Sequence, residues 1–230
     1  RAEEDGRLRA GWTVLEYTGG STGASLALVC AAKGYPLRIV SSDAFSREKL
    51  DQMRALGATL TLVPSEGGLT TRKLILDMIE TARRLSEEPG TYWTDQLNNQ
   101  DSLAGYHPLA EEIWQQTNGK VDAFVHCVGT AATIRGVATV LRRHKPGILI
   151  AAVEPAESSV LSGGQPGPHK IEGVGIGYEP PLWDPSLVDE VHTVSTGEAK
   201  EMTRRLAREE ALFGGTSSGA DVVAAIRVAE

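Results

Sequence analysis

A chain of 230 residues with 41% apolar and 5% aromatic side chains is long enough for one large or two small α/β domains with a proper core. Its net charge of −7 and the lack of a polybasic stretch argue against nucleic acid or an anionic membrane as partner. No apolar run reaches the length of a membrane span and no signal-peptide pattern is visible. Cys30 and Cys127 stand in separate apolar runs without metal-ligand spacing. They read as buried, reduced thiols of a cytoplasmic protein that binds no metal.

Residues 1–11, RAEEDGRLRAG, read as the tail of a helix ending in a turn, and the last residues, ADVVAAIRVAE, are a helical pattern in mid-course. Both ends are therefore expected to be cut. Residues 14–34, VLEYTGGSTGASLALVCAAKG, form the organising stretch: a short apolar strand, a loop of glycines and hydroxyls, then an Ala/Leu-rich helix stopping at Gly34. Glycines let backbone approach a ligand closely, and the first N–H groups of a helix lack intrahelical partners, so such a turn holds a carboxylate or phosphate. The competing reading is a merely flexible connection.

Strands are expected at 37–40, 59–63 and 91–93, with helices opening at Ser46 and Thr70. Residues 95–107, DQLNNQDSLAGYH, are rich in amides and poor in apolar residues, and read as a loop between two lobes. A helix at 109–116 and a buried strand at 121–128 follow, the strand feeding the small-residue loop of Gly129, Thr130, Ala131, Ala132 and Thr133 and a further helix. Residues 148–153 are another apolar strand. The long glycine- and proline-rich segment after Pro155 has the length of a functional loop. A strand at 188–194, a charged helix at 196–210 and a third glycine- and hydroxyl-rich loop at 214–219 complete the chain.

This alternation predicts βαβ units on mainly parallel sheets. Loops at the carboxyl ends of parallel strands share one face, where ligands bind. Three loops of this composition describe a site for an anionic, hydrogen-bonding small molecule. No strand-linked G-x-G-x-x-G or Walker A pattern occurs, and Pro180 and Pro181 argue against a helix after the glycines at 173–177.

Five stretches, in order, resemble the fold-type II pyridoxal-phosphate enzymes, and most closely the cysteine synthase and cystathionine β-synthase group. EYTGGSTG resembles the T-S-G-N-T-G substrate-carboxylate loop, and Asp95-Gln96-Leu97-Asn98 stands where the family has Q-F-x-N. VGTAATIRG resembles the G-T-G-G-T phosphate loop. Val153-Glu154-Pro155, VLSGG and PGPHKIEGVG follow the V-E-P, V-L-S-G-G and P-G-P-H-K-I-Q-G-I-G run, and GTSSG resembles G-I-S-S-G.

The resemblance implies two lobes, each an open, twisted, mainly parallel sheet flanked by helices. Residues 1–95 would be the smaller, mobile lobe with the substrate-carboxylate loop, lacking its N-terminal part. Residues 96–230 would be the larger, cofactor-binding lobe, lacking its C-terminal part. It implies pyridoxal 5′-phosphate, with the phosphate held by Gly129, Thr130, Ala131, Ala132 and Thr133. Ser217, or its neighbour Ser218, would bond the pyridine nitrogen, Gly173 would lie along the cofactor face, and Ser21 would stand where the family's asparagine faces the cofactor's 3′-oxygen. Thr18, Gly19, Ser21, Thr22 and Gln96 would bind the α-carboxylate of a small amino-acid substrate.

The phosphate loop departs from the family in having Ala131-Ala132 for two glycines, which is expected to exclude left-handed backbone there. The family's Schiff-base lysine sits in an S-x-K-D-R-like segment, about two or three helical turns upstream of Arg1. The seven lysines at 33, 49, 73, 120, 145, 170 and 200 all lack that context. Residues 1–230 are thus expected to hold no catalytic lysine and to be inactive as they stand. The activity implied is β-replacement or β-elimination on a serine- or cysteine-type amino acid, as in cysteine synthesis from O-acetylserine and sulfide, by a homodimer. Its alternatives are a cysteine desulfhydrase or serine/threonine dehydratase, and a non-catalytic ligand- or partner-binding relative.

Overall fold

The computed structural model describes residues 1–69 and 71–230. The chain divides into two compact units, Arg1–Gln96 and Leu97–Glu230.

The first unit is built on a four-stranded parallel sheet in the order β3-β2-β1-β4, with β1 Thr13–Tyr17, β2 Leu37–Ser42, β3 Thr59–Val63 and β4 Thr91–Trp93. The inner strands β1 and β2 are buried nearly end to end; Val14, Leu15 and Tyr17 of β1 and Leu37, Ile39 and Val40 of β2 share that burial with the polar Glu16, Ser41 and Ser42. Helix α1 (Ser21–Lys33) follows β1, α2 (Arg47–Ala55) follows β2 and α3 (Arg72–Ser86) follows β3. Gly34 closes α1 in the left-handed conformation, and its N–H donates to the Cys30 carbonyl. Leu15, Ile39, Met53 and Met78 are the large side chains buried in this unit's core. Thr70, where the sequence opens the third helix, lies outside the described residues; α3 is capped by Thr71, whose hydroxyl accepts from the Leu74 N–H at 3.1 Å.

The second unit carries a three-stranded parallel sheet, order β5-β6-β7, from β5 Ala123–Cys127, β6 Leu149–Pro155 and β7 Glu190–Val194. Helices α6 (Ala132–His144), α7 (Thr196–Glu209) and α8 (Thr216–Ala229) complete the βα alternation. Val137, Leu141, Ile148 and Ile150 form one core cluster, and Val153, Val194, Ala220 and Ala224 belong to another. Helix α7 begins with a full capping box, Ser195 and Glu198 each bonding the other's backbone N–H. Among the described residues no helix is long and apolar enough to cross a membrane.

Two expectations need correction. Residues 1–11 form turns instead of a helix tail, because Gly6 and Gly11 both take positive φ (78° and 79°) and interrupt any helical run. The amide-rich segment 95–107 is not all loop: it contains α4 (Asp101–Gly105), and His107 already opens α5 (His107–Gln116). Helix α4 buries no residue of its own, so no apolar periodicity announces it. Its seat is made by Gly136 of α6, where a Cβ would meet the Leu103 carbonyl at 2.6 Å.

Candidate functional site

In the first unit, Thr18, Gly19, Ser21 and Thr22 gather at the carboxyl end of β1, where the chain turns into α1. Thr18 is buried, and its hydroxyl accepts from the Gly20 N–H at 3.1 Å while its carbonyl accepts from Ser41 Oγ at 2.8 Å. The turn needs its glycines for space. A Cβ at Gly19 would enter the Phe45 ring, and one at Gly23 would strike Met53 Sδ and the Thr18 methyl. No side chain caps α1. The N–H groups of Ser21, Thr22 and Gly23 therefore open the helix without intrahelical acceptors, with the positive end of its dipole behind them.

Gln96 belongs to the same group. Its amide nitrogen donates to the Tyr17 carbonyl at 2.7 Å, and its amide oxygen accepts from Thr22 Oγ1 at 3.0 Å. Beneath it lies Glu16, fully buried, whose two carboxylate oxygens accept from the N–H groups of Tyr17 (2.8 Å) and Gln96 (2.9 Å), from Thr94 Oγ1 (2.5 Å) and from Trp93 Nε1 (3.4 Å). Burial pushes the Glu16 carboxyl up to about 7, against the pull of these four donors.

In the second unit, β5 runs out into residues 129–133 and α6. Gly129 faces Gly173 with no room between: a Cβ on Gly129 would run into the Gly173 carbonyl oxygen. The contact is reinforced by the Gly175 N–H donating to the Val128 carbonyl at 3.0 Å. Gly173, Gly175 and Gly177 all have positive φ, so the segment snakes past in a backbone path that side chains disfavour. Ala131, the N-cap of α6, also takes a left-handed conformation, φ 66°. This overturns the expectation that alanine excludes such backbone here; the close-packed loop imposes it on a residue that is 3% exposed. No side chain caps α6 through this residue, and the Ala132 N–H has only a long contact to Thr130 Oγ1, 3.4 Å. The loop thus presents open N–H groups at a helix start.

The third loop joins the same cluster. The Glu172 N–H donates to Thr216 Oγ1 at 3.3 Å, so the residue before Gly173 touches the first turn of α8. Ser217 is half-buried, whereas Ser218 is exposed and packs against Gly214. Asp221, one turn on, accepts from the Cys127 N–H at 2.6 Å and so fastens α8 to the end of β5. Burial raises the Asp221 carboxyl and lowers His126, and it pushes the Cys127 thiol up, away from thiolate character. Beside Gly129, a recess is lined by Val128, Glu154, Ser158, Gly175 and Tyr178. The Ser158 hydroxyl is buried there with no partner.

The predicted residues therefore fall into two groups. Thr18, Gly19, Ser21, Thr22 and Gln96 meet in the first unit. Residues 129–133, Gly173 and the Ser217 turn meet in the second. Sequence reasoning missed Glu16, Asp221, Ser158 and Lys49, whose Nζ lies 3.2 Å from where a Cβ on Gly20 would stand. An acid inside an otherwise apolar strand was the one available signal, and only Glu16 had it.

The whole chain, residues 1–230, matches the family model described as pyridoxal-phosphate dependent enzyme. It is 40% identical to a cysteine synthase of Staphylococcus aureus (strain N315), over 100% of this chain and 73% of that protein. Among solved structures it resembles a cysteine synthase from Entamoeba histolytica, with TM-score 0.89 and 38% identity over 97% of this chain; the chain spans 65% of that protein's length. It also resembles an O-acetylserine dependent cystathionine beta-synthase from Helicobacter pylori, with TM-score 0.90 and 37% identity over 99% of this chain and 73% of that one.

Proposed function

The chain belongs to the pyridoxal-phosphate dependent enzyme family, and on that footing we propose that it serves a cysteine-synthase-like β-replacement, in which sulfide takes the place of the acetate of O-acetylserine. The observation that carries this reading is the 40% identity to a cysteine synthase over the full length of the chain. The site residues fit the cofactor. The Gly129–Gly173 contact leaves a side-chain-free cradle, the α6 start offers open N–H groups, and Ser158 supplies an orphaned buried hydroxyl beside them.

Pyridoxal 5′-phosphate, when bound, supplies the electron sink that loosens bonds at the amino acid's Cα. Backbone N–H groups of Gly129, Thr130, Ala131, Ala132 and Thr133 would hold its phosphate at the positive end of α6. Ser217, half-buried in the first turn of α8, would offer the ring nitrogen a neutral hydroxyl in place of a charged partner, a pairing that suits departure of a group from Cβ. Gly173, a residue without a side chain, would keep the cofactor face clear. In the first unit, the N–H groups that open α1, with Thr18, Gly19, Thr22 and the spare amide hydrogen of Gln96, hold and orient the substrate carboxylate. Asp221 holds α8 in place on β5. The lysine that carries the cofactor lies outside residues 1–230. Three of the seven lysines present, Lys33, Lys73 and Lys145, are engaged by Glu3, Asp77 and Asp122. We place the protein in the cytoplasm, as a homodimer.

Product analysis with the full-length protein tests this reading. Cysteine formed from O-acetylserine only when sulfide is present supports it. Pyruvate or sulfide released from cysteine or serine alone would replace it with a lyase. Borohydride reduction followed by peptide mapping checks the lysine: a pyridoxyl adduct on any of the seven would overturn its placement.

A further inference from the structure

We propose that Glu16 is a positioning residue that sets the substrate-carboxylate loop by holding Gln96 from behind. The inference rests on the reading of Thr22 and Gln96 as carboxylate contacts. Glu16 lies on the central strand β1, opposite Ile39 of β2, and is completely buried. A carboxylate placed there without partners is costly, so its surroundings report what it is for. All four groups that address it are donors, and three of them come from the short stretch 93–96. Asp95 takes a left-handed turn, φ 44°, which lets Thr94 Oγ1 and the Gln96 N–H reach the same oxygen, Oε2. A non-glycine residue held in that region is strained, and the strain persists because the flanking bonds fix it.

What Glu16 fixes is a chain of contacts ending at the loop. It holds the Gln96 backbone; the Gln96 amide then grips the Tyr17 carbonyl and orients the Thr22 hydroxyl. One amide hydrogen of Gln96 is left over by this arrangement, aimed by the other contacts. Removing these acceptor oxygens would free residues 93–96 and, through Gln96, let the donor set lose its alignment. Substrate binding depends on that alignment at the level of tenths of an ångström.

The test uses the full-length holoenzyme titrated with L-serine, followed by cofactor absorbance, alongside steady-state kinetics with O-acetylserine. Glu16→Gln keeps the shape but sets an NH2 group against N–H and O–H donors. Its L-serine Kd and O-acetylserine KM are expected to rise about tenfold or more, with kcat within about threefold and cofactor affinity unchanged. Thr94→Val, which removes one donor to the same oxygen, should shift the same two constants in the same direction by a smaller factor, and it serves if Glu16→Gln does not fold. Wild-type Kd and KM in the folded variants would overturn the proposal, as would equal losses in kcat, Kd and cofactor binding, the pattern of a merely structural acid. A wild-type protein that binds cofactor but no amino acid would instead overturn the functional reading beneath it.

Discussion

Thr22 donates its hydroxyl hydrogen to the side-chain oxygen of Gln96 at 3.0 Å, across 74 positions of chain. Both were expected to touch the substrate carboxylate, and the bond shows that they are one unit and not two independent contacts. A hydroxyl has a single hydrogen, so Thr22 can face a carboxylate only through its backbone N–H, or by giving up Gln96. Gln96→Ala and Thr22→Val are each expected to weaken L-serine binding, and in a double-mutant cycle to couple by roughly 0.5–1.5 kcal/mol. Strictly additive losses would show that the two act separately.

Ser217 and Ser218 make different demands on the same turn. Ser217→Ala is expected to weaken cofactor affinity by on the order of 1 kcal/mol, the worth of one neutral hydrogen bond. Ser218→Ala should leave it unchanged, since that side chain is exposed and lies against Gly214. Absorbance titration of the full-length protein with the cofactor reads both. Loss in Ser218→Ala alone would move the assignment by one residue.

The two sheets and all three glycine-bearing loops were legible from residue patterns, because buried parallel strands run apolar and the loops announce themselves by composition. Glu16 was not. Its neighbours Val14, Leu15 and Tyr17 mark a strand, but only the 93–96 turn, some 77 positions or more away in the chain, supplies the donors that make a buried acid tolerable. Helix α4 was missed for the opposite reason, since its seat is a vacancy at Gly136 in another helix and not a feature of its own sequence. At Ala131 packing overrides local preference: the closed loop between Val128 and α6 holds this alanine at φ 66°.

That strain is measurable. A left-handed residue with a Cβ costs roughly 1–2 kcal/mol relative to glycine. Ala131→Gly releases the strain but deletes a buried methyl group, so it should leave stability within about 1 kcal/mol of wild type. Ala131→Val adds a β-branched side chain at the same φ in a site that is 3% exposed, and should cost roughly 2 kcal/mol or more. Denaturant unfolding of the full-length protein compares them. A valine variant as stable as wild type would show that the loop does not hold this backbone.

Glu16 also leaves a signature in stability. Its carboxyl is raised from 4.5 to about 7 by burial, so the folded protein binds this proton more tightly than the unfolded chain does. The favourable contribution is fully present below pH 4.5 and is lost as pH rises through about 7, where ionising the buried acid costs roughly 3 kcal/mol. Hydrogen bonds from Thr94, Gln96, Tyr17 and Trp93 offset part of this cost without reversing its sign. Wild-type protein is therefore expected to lose more stability between pH 5 and pH 8 than Glu16→Gln, whose amide does not titrate. Unfolding free energies of both proteins at those two pH values give the comparison. Identical losses would mean that Glu16 titrates near its ordinary value, and that its four donors outweigh the burial.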